Sequence, residues 1–131
     1  MQRHFHEELE ALKQRLLAMG GLVEDQIRRV MRALVERDDA LAQEVIERDQ
    51  QVNAYDVEVD ETCVGLLALH QPAAGDLRFI TTAMKIVTDL ERMGDQAVNI
   101  AQRVLELNHE PQLKPYIDLP RMAERAQLMV K

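Results

Sequence analysis

A chain of 131 residues and 15.0 kDa is sized for one domain, and folding at that length buries roughly two-thirds of the unfolded surface, enough for a core without staples. Its 23 acidic residues against 16 basic ones leave a formal charge of -7, which with no dense basic patch argues against nucleic acid as the main partner. Aromatics at 3%, no Trp, and only 5 Gly and 4 Pro disfavour sandwiches and barrels and favour long helices, while the single Cys63 excludes a disulfide framework and a Cys-based zinc site.

The N-terminus, Met1 to Glu8, has no apolar signal-peptide core. The longest apolar run, near Val64 to Leu69, is far too short to span a bilayer. The expectation is a soluble, cytoplasmic, acidic helical chain.

The first helical pattern carries Phe5, Leu9, Leu12, Leu16, Met19, Val23, Ile27, Val30 and Leu34, a single stripe at gaps of three and four. Gly20-Gly21 interrupts it at about 1 kcal/mol per glycine, which predicts a weak point or a close helix contact there. Glu36 to Asp39 is polar and supplies capping residues for the next helix. That second helix carries Leu41, Val45, Val52, Tyr55, Val59, Cys63, Leu66 and Leu69, and stops near His70-Gln71 because Pro72 disfavours helical geometry before it.

Asp76 is the expected cap of a third helix running to about Leu107, close to 50 Å long. This helix has two apolar stripes. One is Leu77, Ile80, Met84, Val87, Gly94, Val98, Ala101 and Leu105; the other is Ile86, Leu90, Met93, Ala97, Ile100, Val104 and Leu107. Two stripes predict two neighbours and a central place for this helix, and the short breaks force an up-down-up path. The predicted fold is all-α, an elongated antiparallel three-helix bundle over residues 1–110. A Pro-containing linker over 111–117 follows, and then the start of a fourth helix over 118–131. In that last stretch Leu119, Met122, Ala126 and Met129 repeat the spacing of Leu9, Leu12, Leu16 and Met19, a weak sign of a second, truncated repeat.

No nucleophile with an evident base, no phosphate loop and no dinucleotide fingerprint is present, so no catalytic residue is assigned. Asp76 at its helix start would repel an anion from the helix-end amides. Glu106-x-x-His109 has the spacing used by di-iron carboxylate bundles, but it occurs once and is read as accidental. His4, His6 and His70 are expected in surface or capping roles. Arg28, Arg29 and Arg32 form either a solvated face or a dock for an acidic partner. Cys63 is read as a small core residue.

The informative residues are carboxylates beside the seams. Asp49, Asn53, Asp56 and Asp60 follow helical spacing on the second helix. On the third, Glu91 takes an apolar position between Val87 and Gly94, with Asp95 and Asn99 at the next two turns. A buried lone carboxylate needs a cation, a proton or a hydrogen-bond partner. Asp56/Asp60 and Glu91/Asp95 are acid-x-x-x-acid pairs, each placing two carboxylates on one helix face, and two such helices could offer oxygens to a hard or borderline cation. The spacing alone is unspecific, since roughly four such pairs arise by chance at this acid content and the chain holds three. The competing reading is a partly solvated acidic face neutralised by Arg48, Lys85 and Arg92.

The run Gln71 to Phe79, then Lys85 to Asp95, then Val98-Asn99-Ile100-Ala101, closely resembles the PhoU family, as does Asp49 to Glu61. The resemblance covers residues 1 to 110, with the stretch after Pro115 similar to the start of the family's second repeat. It implies a non-catalytic regulator of phosphate uptake that links a phosphate ABC transporter ATPase to a sensor histidine kinase and restrains the phosphate-starvation response. It further implies self-association, as a homodimer or larger, without membrane insertion. It also implies a metal ion or multinuclear cluster at Asp56, Asp60, Glu91 and Asp95, with iron, zinc, manganese and magnesium not distinguished. Two other readings stand beside the adaptor: a metal store or metal-dependent enzyme of the carboxylate-bundle kind, and a purely structural helical module. Family members are roughly twice this long and consist of two such three-helix repeats.

Overall fold

The computed structural model describes residues 2–70 and 72–109. Within them lie three helices and no strand: α1 (Gln2–Glu36), α2 (Asp39–His70) and α3 (Ala74–Asn108). The expected linker over 111–117 and fourth helix over 118–131 lie outside the described residues.

The chain reverses between α1 and α2 in two residues. Arg37 takes the left-handed conformation (φ 56), and the Asp38 amide then bonds back to the Ala33 carbonyl at 3.0 Å, which closes the end of α1. Asp38 also starts α2, its Oδ1 accepting the Leu41 amide at 3.0 Å. α3 departs from expectation at its start: Ala73 stands at the cap position with no side-chain bond, and Asp76 lies inside the first turn, where its charge favours the helix dipole. At the far end Asn108 clasps the first reversal, its Nδ2 donating to Arg37 O at 3.2 Å and Asp39 Oδ1 at 2.6 Å.

All three helix pairs touch, most extensively α2 with α3. The bundle is therefore triangular, and α3 is not its centre, because each helix packs on the other two. The α1 stripe is buried as expected from Phe5 to Leu34, with Leu16 half-buried, and meets Val45, Val52, Val59, Cys63 and Leu66 of α2 and Ile80, Val87, Ala97, Ile100 and Val104 of α3. Leu69 (77% exposed) and Leu77 (42%) fall outside the core although their neighbours Leu66 and His70 pack at the same end, so both turn away from the seams. Gly20 and Gly21 neither break α1 nor touch a neighbouring helix. No helix among the described residues is long and apolar enough to cross a membrane.

Candidate functional site, a carboxylate cluster between two helices

The α2–α3 seam sets the positions of the acids. Gly94 sits where a side chain would collide with α2: a Cβ there would stand 3.2 Å from Val52 Cγ1 and 3.4 Å from Asp49 Oδ1. Three turns further along α2, Cys63 Sγ reaches the Ile80 carbonyl. These contacts fix an antiparallel register in which Asp49 lies beside Asp95 and Asp56 beside Glu91.

Glu91 is half-buried in this layer. Its carboxyl is pushed up to about 7, first by a hydrogen bond with Asp56, then by burial, and then by the negative charges of Asp56, Asp95 and Asp49. Glu91 therefore holds its proton beside the Asp56 carboxyl more tightly than a free glutamate does. Asp49 is raised by burial and by the charge of Asp95, against a lowering hydrogen bond from Asn53, and its Oδ1 is buried without a partner.

Asp60, the fourth member of the predicted set, does not join them. It is exposed, and its charge acts instead on Cys63, whose thiol is pushed up to about 11 chiefly by burial. The reason is directional. One turn forward along α2 is one turn backward along α3, so Asp60 and Asp95 leave the Asp56–Glu91 pair about 6 Å in opposite directions. The spacing that would have found Asp49 is the heptad to Asp56, two turns along the same face. Among the described residues no three His, Cys, Asp or Glu side chains are placed to hold a metal ion. The oxygens suit a hard cation by type, but as folded they form an Asp56–Glu91 pair with two flanking carboxylates.

The neutralising bases are also elsewhere. Arg48 faces α1, pairing with Asp25 at 3.3 Å and Glu44 at 3.6 Å. Arg29 completes that network through Asp25 and Glu44, both at 2.7 Å, and is held the more firmly protonated by the Asp25 hydrogen bond. Lys85 and Arg92 are exposed and make no ion pair with any described residue. Arg28 and Arg32 pair with Glu24 and Glu36 on their own helix, as a solvated face does. Glu106 and His109 part company, one to Arg103 and the other to Asp39. His4 and His70 both bond to Glu8, tying the start of α1 to the end of α2.

The profile of the PhoU domain family matches residues 16–104. A PhoU homolog of the phosphate-specific transport system from Pseudomonas putida is 44% identical over 130 residues, covering 98% of this chain and 51% of the relative. The PhoU accessory protein of Escherichia coli is 40% identical over 112 residues, covering 83% of this chain and 46% of its own length. Among solved structures, PhoU from Pseudomonas aeruginosa superposes with a TM-score of 0.88 at 44% identity, over 96% of this chain and 61% of that one. PhoU from Streptococcus pneumoniae gives 0.82 at 36% identity, over 96% and 59%. The chain spans about half the length of the curated relatives it matches.

Proposed function

The chain belongs to the PhoU family, and from that membership we propose that it serves as a regulatory adaptor that restrains phosphate uptake. In this reading it works by binding, without a chemical step of its own. Faces of the bundle engage the cytoplasmic ATPase of a phosphate ABC transporter and a partner sensor histidine kinase, and couple transporter state to the phosphate-starvation response. The observation that carries it is the match along nearly the whole chain to relatives named as accessory proteins of the phosphate-specific transport system.

Those names belong to proteins about twice this length, so the test must question the chain itself. Phosphate uptake would be measured in phosphate-replete cells of a bacterium lacking its own PhoU protein, with this chain or a full-length relative supplied. The expected result is uptake lowered by both. Lowering by the relative alone would overturn the reading for this chain.

A second reading rests on a separate observation: the carboxylates of Asp49, Asp56, Glu91 and Asp95 face one another with no base among the described residues to offset them. A divalent cation bound between Asp56 and Glu91, the pair already in contact, would relieve that repulsion, and Asp49 or Asp95 would have to swing in to complete its ligands. Glu91→Leu separates this from a structural role. Metal binding requires that purified protein lose metal on substitution; a structural pair predicts unchanged metal content and neutral or raised stability, since an apolar side chain often outperforms a buried polar pair.

A further inference from the structure

Where α1 begins and α2 stops, imidazoles from two helices meet one carboxylate. His4 Nε2 lies 2.8 Å from Glu8 Oε1, one turn along α1. His70 Nε2, from the last turn of α2, lies 3.4 Å from Glu8 Oε2. The His70 side chain is only 14% exposed, and its ring stands against that of Phe5 at 5.0 Å between centres. His4 and Glu8 border a pocket of about 350 Å³ that Arg15 and Thr62 also line. Arg15 is taken up by Glu58 at 2.8 Å and by Thr62 at 3.1 Å, which leaves the Glu8 carboxylate to the two histidines.

Two imidazoles and one carboxylate are the donor set of a four-coordinate zinc with one position open. Ligand atoms about 2.1 Å from such a metal stand about 3.4 Å from one another, and the two contacts with Glu8 already lie near that length. We propose that His4, Glu8 and His70 form a zinc site that staples the start of α1 to the end of α2, with water from the pocket in the fourth position. As folded, the three do not enclose an ion: each imidazole meets a different oxygen of Glu8, and the ring centres of His4 and His70 stand 6.3 Å apart. His4 closes that gap by turning inward, which its 68% exposed side chain is free to do. Each ring then takes its Nδ1–H tautomer, and two contacts with Glu8 are traded for three coordinate bonds.

This site is distinct from the carboxylate seam. His70 lies about 21 Å along α2 from Asp56, and nitrogen donors select zinc over the hard cations that carboxylate oxygens suit. The proposal draws on neither the adaptor reading nor the seam, so it stands or falls apart from both.

The test is calorimetric titration of Zn²⁺ into the chelator-stripped 131-residue chain, with Mg²⁺ in excess to compete at all-oxygen sites. The expected result is one Zn²⁺ per chain and a melting temperature raised by the metal. Co²⁺ in its place should give the visible absorption of a tetrahedral site. His4→Ala and His70→Ala are each expected to weaken binding by about tenfold or more, while His6→Ala and Glu91→Leu leave it unchanged. His4 is exposed, so helicity measured on His4→Ala separates a lost ligand from a lost fold. No zinc uptake by the wild type would overturn the proposal. So would uptake that survives both histidine substitutions, or uptake that vanishes with Glu91→Leu.

Discussion

Glu91 draws its unusual proton affinity from three other acids, which gives it a defined effect on stability. Its carboxyl lies near 4.5 when free and is pushed up to about 7 in the folded chain, so the folded state binds its proton more tightly than the unfolded state. The stability this confers is fully present below pH 4.5 and is lost as pH rises through 7. In chelator-treated protein, the difference in unfolding free energy between wild type and Glu91→Gln should fall by on the order of 1–3 kcal/mol across that window, discounted for partial exposure. Urea denaturation at stepped pH reads it, and a flat difference would contradict that tighter hold. Gly94 supplies the matching test of the seam. Val52 is fully buried, so it cannot give way to a Cβ at 3.2 Å. Gly94→Ala should then cost about 1–2 kcal/mol despite its helix propensity, and Val52→Ala in the same chain should recover part of that loss.

At the scale of the helices, the same substitution has opposite signs in different places. Gly65 lies on α2 with open space around it, so Gly65→Ala should stabilise by about 0.5–1 kcal/mol. Asp38→Ala removes the acceptor of the Leu41 amide and should cost about 1 kcal/mol; thermal unfolding measures both. These helices were readable in advance because each buries a stripe at gaps of three and four, and because polar or Pro-bearing breaks separate them. Less readable was where a stripe stops being covered. Leu69 and Leu77 continue their patterns but are exposed, and gaps of three and four allow a stripe to drift off the covered face near a helix end. The start of α3 at Ala74 was missed because the sequence offers Asp76 as a cap, whereas the first turn runs from Ala73 without one.

For the whole bundle, spacing along one helix identifies a face, but the offset between two helices comes only from packing. That is why the sequence could pair Asp56 with Asp60 and Glu91 with Asp95, each along its own helix, but could not tell that Asp56 meets Glu91 across the seam or that Asp49 lies beside Asp95. The Val52–Gly94 contact sets an antiparallel register that carries Asp60 and Asp95 apart and brings Asp49 in. The same packing turns Arg48 towards α1 and leaves the acidic seam without the base that its sequence neighbourhood seemed to provide. Gly20-Gly21 was visible as a cost to the helix, but its direction, outward from the bundle, was not.

In the adaptor reading, a single three-helix unit carries a docking surface of the phosphate regulatory system. The most direct measurement is a pull-down from phosphate-replete lysate of the source cells, with this chain and a full-length relative as parallel baits and bound proteins identified by mass spectrometry. The expected result is that this chain recovers the phosphate-transporter ATPase or its sensor kinase. Recovery by the relative alone would contradict it and place the docking surface in the half that this chain does not span.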